Sequence, residues 1–425
     1  MNVLALLQWK LQDALSGLAT DPAVYAAMLR PAQDARFGDY QANCAMPLAK
    51  QLGKPPREIA QAIVDRLPLE DMLAPPAIAG PGFINLTLQS EWLARQIQHM
   101  ASNDRLGVAP VSTPRTFVVD YSSPNVAKPM HVGHLRSTII GDALARLLRF
   151  LGHKVITDNH LGDWGTQFGI LLYGYKHFLD AEAFAADPVR ELARLYVHVR
   201  KQMKKVVNEH GEEEEDPNDP IAQAARDETA RLHAGDAENL RLWQMFMPHC
   251  YEEIEHIYRR LDVHFDRTHG ESFYHPMLVD VVRSLRERGI ARESNGAVAV
   301  FFGEKDSPAL IQKRDGAFTY TTTDLATIRY RLDEWKPDAI LYVVDFRQGL
   351  HFKQLFDIVR RWGYDRVELE HISFGSVLGS DSRPIRTREG TSASLESLLD
   401  DAIDAAAKVY EDNRQKLVEL GKEVV

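Results

Sequence analysis

The residues that most constrain the fold run from 116 to 169, where a strand pattern, a helix pattern and a second strand pattern follow closely. Thr116-Phe117-Val118-Val119-Asp120-Tyr121 is a short apolar run of the kind that fills a strand buried on both faces. A Ser-Ser-Pro-Asn loop and a helical pattern over about 131–151 come next, then a strand over 154–158 and a glycine-rich loop over 159–169 that opens into another helix. Strand, helix and strand in that order make a right-handed parallel crossover. Such units build an open doubly wound α/β sheet, Rossmann-like, whose ligands sit at the carboxyl ends of the strands.

At 425 residues the chain is too long for one core, since cores stop growing near about 250 to 300 residues. Residues 1–108 read as a small α+β domain. Helical spacing covers 3–18 and 56–69, and Gly80-Pro81-Gly82-Phe83-Ile84-Asn85-Leu86-Thr87-Leu88 is a turn followed by period-two alternation. Residues 106–115, with two prolines and no periodicity, read as a linker. The α/β domain then spans 109–390. A helical insertion over about 186–262 splits it, and strands return at 297–302, 339–344 and 371–374. Residues 391–425 carry one long helical pattern from about 394.

Composition narrows the setting. No apolar run approaches the roughly 18 residues of a membrane span, and the amphipathic start has no basic leader, so no membrane and no signal peptide are expected. Two distant cysteines, Cys44 and Cys250, make neither a disulfide framework nor a zinc site and fit a reducing cytoplasm. A net charge of -10 argues against a nucleic-acid protein, since phosphate binding usually leaves a basic footprint, but a large enzyme that binds nucleic acid needs only a local positive surface. Arg200, Lys201, Lys204, Lys205, Arg360 and Arg361 are candidates, or else solvated helix faces. The run from Glu212 to Asp216 reads as a solvated acidic loop.

The sharpest local signal is His131-Val132-Gly133-His134, where a strand and loop feed a helix N-terminus. Unpaired N–H groups and about half a positive charge there favour phosphate. Gly133 removes the Cβ that would block a flat ring from the backbone. Such a group can hold ATP and stabilise charge on its α-phosphate during in-line displacement. Alone, the paired histidines could equally be a surface pair or part of a metal site.

The surroundings decide more. The stretch Asp120-Tyr121-Ser122-Ser123-Pro124-Asn125-Val126-Ala127-Lys128-Pro129-Met130-His131-Val132-Gly133-His134-Leu135-Arg136-Ser137-Thr138 closely resembles the signature of arginyl-tRNA synthetases, which are class I aminoacyl-tRNA synthetases. The resemblance continues through residues 159–169, through Tyr320-Thr321-Thr322-Thr323-Asp324-Leu325-Ala326 and through Val344-Asp345-Phe346-Arg347-Gln348. Phe37-Gly38-Asp39-Tyr40-Gln41 with Pro81-Gly82-Phe83-Ile84-Asn85 is similar to the family's extra N-terminal, tRNA-contacting domain.

The resemblance implies activation of arginine by ATP and transfer to the 3′ end of tRNA(Arg), with Lys128, His131 and His134 catalytic. It implies arginine contacts from Asp120, Ser122, Asn125, His160, Tyr320, Asp324 and Gln348. ATP contacts would come from His131, Gly133, His134, Asp163, Gln167, Arg383 and Arg386. Carboxylates and neutral acceptors are the types that a guanidinium fork demands. Tyr320 could instead be an interfacial aromatic, Asp324 a helix N-cap before Leu325, and Trp164 core. Magnesium is expected to enter with ATP, since no carboxylate cage is visible, and a monomer is expected.

Two departures stand out. The Lys-Met-Ser-Lys-Ser motif of class I enzymes is absent, and Val377-Leu378-Gly379-Ser380-Asp381-Ser382-Arg383-Pro384-Ile385-Arg386 stands in its place. Lys128 holds the position from which a lysine is thought to compensate. The family's helical anticodon-binding domain is also expected to be missing beyond residue 425, as a truncation or a natural short form. Another nucleotidyltransferase, or a silent arginine- or tRNA-binding relative, are the alternatives.

Overall fold

The structure, a computed structural model, describes residues 2–68, 71–128, 130–207, 213–216, 218–303, 306–375 and 395–419. The chain divides into two compact units, Met1–Pro110 and Val111–Val425.

The first unit holds an antiparallel sheet of four short strands, Leu29–Pro31, Tyr40–Ala42, Phe83–Leu86 and Ala77–Ala79 in spatial order. Helices Val3–Ala14, Ala45–Leu52 and Pro56–Val64 supply its core through Leu7, Leu11, Leu48, Ile59 and Ile63. Gly38, at φ +81°, lies so close to Leu86 that a Cβ would meet its carbonyl oxygen at 2.6 Å.

In the second unit β1 is Thr116–Asp120, α1 Val132–Phe150, β2 Lys154–Asn159 and α2 Thr166–Phe178. An insertion follows, with helices α3 (Pro188–Gln202), α4 (Pro220–His233) and α5 (Ala237–Leu261). The chain returns through β3 (Arg267–Thr268) and α6 (Leu278–Glu287) to strands β4 (Ala291–Ser294), β5 (Ala297–Val300) and β6 (Ala309–Gln312). Last come α7 (Tyr320–Glu334), β7 (Ala339–Asp345), α8 (Gly349–Arg361), β8 (Glu368–Phe374) and α9 (Leu395–Glu419).

The main sheet is parallel throughout, in the order β8-β7-β1-β2-β3. From β1 the chain winds outward to β2 and β3, then crosses back to β7 on the other side. The switch point therefore lies between β1 and β7, and a crevice is expected at their carboxyl ends. Alternation along the strands covers both faces. Val119, Tyr121, Leu341 and Val343 pack with α2 and the insertion helices, whereas Val118, Ile340 and Tyr342 pack with α6, α7 and α8. One expectation needs correcting: residues 297–300 do not rejoin the main sheet. They are the middle strand of an antiparallel meander, β4-β5-β6, because turns such as Asn295-Gly296 (φ +51° and +79°) fold the chain straight back.

Candidate active site at the switch point

Helix α1 begins just past the end of β1, and its first turn is built from the two histidines. His131 is the N-cap, its Nδ1 accepting from Gly133 N at 3.1 Å, while His134 Nδ1 accepts from the His131 N–H at 3.1 Å. The rings lie 4.0 Å apart, centroid to centroid. A Cβ on Gly133 would fall 2.7 Å from the His131 ring, so glycine is what lets that ring fold back on the helix start. Two of the N–H groups expected to be open are thus already capped by the imidazoles. With both Nδ1 atoms accepting, each neutral ring carries its proton on Nε2. Burial holds His134 neutral, its pKa lowered to about 3, and burial with the nearby Lys128 charge lowers that of His131.

Ser137 and Thr138, one turn on, fix α1 to the sheet. Ser137 Oγ donates to the Val343 carbonyl of β7 at 2.6 Å and accepts from Ser122 N at 2.8 Å; Thr138 Oγ1 donates to Ser122 Oγ at 2.8 Å. Gly141 lets the helix pass directly over Tyr121, where a Cβ would meet the ring at 2.2 Å. Ser122 and Ser123 both take positive φ, +70° and +47°, a strained pair held by this network and by Asn159, whose Oδ1 accepts from Ser123 N.

Lys128 lies on the insertion side of the histidines. Its Nζ is 5.5 Å from the Tyr196 ring centroid, and it lines a cavity of about 230 Å³ with Gln167, Thr166, Tyr196, Arg200 and Arg226. Asn125 joins the first loop to the glycine-rich loop through a parallel bridge to Gly162, and its Oδ1 accepts from Ala127 N.

The acidic residues form a second group. Asp324 is not an N-cap, because α7 starts four residues earlier with Thr319 as its cap; instead its Oδ2 meets His351 Nε2 at 2.6 Å. Tyr320, 67% exposed, sets its ring edge-on to His351 at 4.9 Å. Gln348 is exposed in the turn between β7 and α8. The sequence reading missed Glu271, which follows β3. Its backbone N donates to Leu161 O, and burial, with the Asp163 and Asp324 charges, raises its pKa despite nearby His160. His160 Nδ1 is buried and has no protein partner. A carboxylate on an irregular turn far along the chain carries no periodic signal, so only the folded arrangement could reveal it.

Three of the expected ligand residues also have partners within the protein. Asp120 is bound by Arg331 Nη2 at 2.5 Å and by Ser123 Oγ at 3.1 Å. Ser122 Oγ is buried between Thr138 and Tyr258 OH. Asp163, 1% exposed, accepts from Ser272 N at 2.8 Å and Ser272 Oγ at 2.6 Å, and so fixes the turn that carries Glu271. Each is occupied by protein donors away from solvent. Trp164, partly buried, packs against Trp243 and His233. Arg383 and Arg386 lie outside the described residues.

Residues 96–423 match the family model of class I tRNA synthetases (R), catalytic domain, and residues 5–88 match the arginyl tRNA synthetase N terminal domain. A relative from Rhodopirellula baltica named arginine–tRNA ligase is 45% identical, over 96% of this chain and 72% of its own length. One of the same name from Cellvibrio japonicus is 44% identical, over 98% and 72%. The crystal structure of an arginyl-tRNA synthetase from Plasmodium falciparum superposes with a TM-score of 0.71 at 26% identity, covering 98% of this chain and 69% of that one. With both of its units matched in order, the chain belongs to the arginyl-tRNA synthetase family.

Proposed function

We propose that the chain activates arginine with ATP, releasing pyrophosphate, and passes the arginyl group to the 3′ end of tRNA(Arg). The observation that carries this reading is the division of labour at one sheet edge: neutral Nε2–H donors beside Lys128 on one side, and on the other the carboxylates of Asp324 and Glu271, which have no lysine or arginine partner among the described residues. Asp324 and Glu271 face the guanidinium of arginine, Tyr320 and Gln348 border it, and Asn125 and His160 take its amino and carboxylate end. His131, His134 and Gly133 receive the phosphates of ATP, with Gln167 and Lys128 alongside, and Arg383 and Arg386 are assigned to the pyrophosphate by residue type.

In the first step the arginine carboxylate attacks the α-phosphorus and pyrophosphate leaves. Two imidazole donors and the Lys128 ammonium are preorganised where negative charge grows, which stabilises the transition state without a proton transfer. Since burial keeps the rings neutral, they act as hydrogen-bond donors, and Lys128 brings the positive charge. In the second step a terminal ribose hydroxyl of the tRNA, the 2′ in this class, attacks the adenylate carbonyl and AMP departs. Magnesium arrives as the ATP complex, held mostly by phosphate oxygens.

No described helix is long and apolar enough to cross a membrane. Free, buried Cys44 and Cys250 fit the reducing cytoplasm. One chain supplies every proposed contact, so the monomer is taken as the catalytic unit. Arginylation of tRNA(Arg) by this chain, dependent on ATP and slowed by Lys128→Ala, tests the reading. Arginine binding without turnover, when ATP and tRNA are both present, would select the silent relative instead.

A further inference from the structure

Helix α7 drives a guanidinium of its own into the sheet. Arg331 is fully buried, and Nη2 donates to Asp120 Oδ2 at 2.5 Å and to Asp158 Oδ2 at 2.8 Å. Nε adds a 3.1 Å bond to Asp158 Oδ2, and Nη1 reaches Tyr342 OH at 3.2 Å. One side chain therefore ties α7 to β1, β2 and β7 near their carboxyl ends. The other mount of the helix is its first turn, where Thr319 Oγ1 donates to Leu310 O at 2.6 Å and Thr322 Oγ1 to Ile311 O on β6.

Asp324 lies between these mounts. Seven residues separate it from Arg331, two turns and about 10 Å along the same helix face, so its carboxylate stands beyond the strand ends. From this arrangement we propose that Arg331 is a positioning residue for arginine recognition, setting the rotation of α7 and keeping Asp120 and Asp158 from competing for the substrate's guanidinium. The proposal rests on the reading of Asp324 as a guanidinium contact. A helix turned by about 20° moves a carboxylate some 5 to 6 Å from its axis by about 2 Å. A misplacement of about 1 Å is enough to cost a factor of about a hundred. Lysine cannot replace the fork, since a single ammonium lacks the planar set of donors that reaches two carboxylates and a phenol together. The ATP side is insulated, because α1 hangs on Ser137, Thr138 and Ser122 and makes no hydrogen bond to Arg331 among those described.

The test uses the full chain with tRNA(Arg), measuring initial arginylation rates against arginine and against ATP, with melting followed by circular dichroism. Arg331→Lys is expected to raise the arginine KM about tenfold or more and to leave the ATP KM unchanged. A second variant, Arg331→Met with Asp158→Asn, removes one buried charge of each sign and is expected to show the same split. If a folded variant leaves the arginine KM unchanged, or raises both constants together, the proposal is overturned. If neither variant folds, Arg331 serves the core alone and the proposal is likewise overturned. Asp324→Asn runs in parallel: an unchanged arginine KM there sinks the slot reading itself, whereas a raised one beside silent Arg331 variants removes Arg331 only.

Discussion

Replacing Asp324 by Asn is the sharpest single probe of the acidic slot, because it changes charge and almost nothing else. The amide oxygen can still accept from His351 Nε2, now 2.6 Å from Oδ2, so α7 and α8 remain joined. What is lost is the anion opposite the guanidinium. Removing one partner of a buried ion pair costs about 3 to 5 kcal/mol. The Asp324 side chain is 27% exposed, so solvent screening favours the lower end. About 3 kcal/mol corresponds to a loss of about 150-fold in kcat/KM for arginine. The ATP KM should stay put, since the paired histidines sit on another helix. Citrulline, which keeps the shape and lacks the charge, closes a double cycle: it should be rejected by the native chain about a hundredfold or more and much less by the variant. Steady-state arginylation with each amino acid measures all four corners. If the two losses simply add, Asp324 and the guanidinium do not meet, and the slot assignment fails.

Other consequences follow from the same site. Lys128→Ala should lower kcat by about tenfold to a hundredfold with the arginine KM unchanged, as read from arginylation rates; a purely structural lysine would leave kcat alone. Glu271 holds its proton to higher pH than an ordinary glutamate, and an incoming guanidinium should expel it. Arginine affinity should therefore fall as pH drops through that raised pKa, with proton release visible as a buffer-dependent calorimetric enthalpy, and Glu271→Gln should abolish both. His134, with its pKa near 3 when folded against about 6.5 unfolded, binds protons more readily in the unfolded chain. Its contribution to stability is complete above pH 6.5 and declines by up to about 1.4 kcal/mol per unit toward pH 3, a slope that denaturant titrations should find reduced in His134→Gln. Ser272→Ala should raise the arginine KM by loosening the turn that carries Glu271, an effect absent from the ATP KM.

The parallel sheet was legible because β1, α1 and β2 each carry their own period, and both faces of the sheet are apolar in alternation. The meander was not. Residues 297–300 are apolar throughout, as a strand of the main sheet would be, and only the turns at their ends say that the partner is the next hairpin arm. Within the site, the histidine turn could be read because its function is local: N-cap, glycine and second ring lie within four residues. The settings of Asp120, Ser122 and Asp163 could not be read, for the opposite reason. Each has a chemistry that suits a ligand, and each also finds a protein partner more than a hundred residues away (Arg331, Tyr258 and Ser272). Residue type records what a side chain can bind, and only folding decides what reaches it first.

That division carries an argument about selectivity. Five carboxylates crowd this sheet edge: Asp120, Asp158, Asp163, Glu271 and Asp324. An edge with all five open would attract any cation, and mutual repulsion would strain the fold without naming a substrate. Arg331 pairs with two, through Oδ2 alone in Asp158, and Ser272 with Tyr251 satisfies a third through hydrogen bonds. Glu271 and Asp324 have no lysine or arginine partner among the described residues, Asp324 meeting only His351, and they are close enough for Asp324 to raise the proton affinity of Glu271. A pair of acceptors facing one slot suits a planar fork of donors better than a point charge, so lysine should pair with either acid but satisfy the two together poorly. Selectivity for arginine over lysine then depends as much on the acids that the protein has already engaged as on the two it leaves without a lysine or arginine partner.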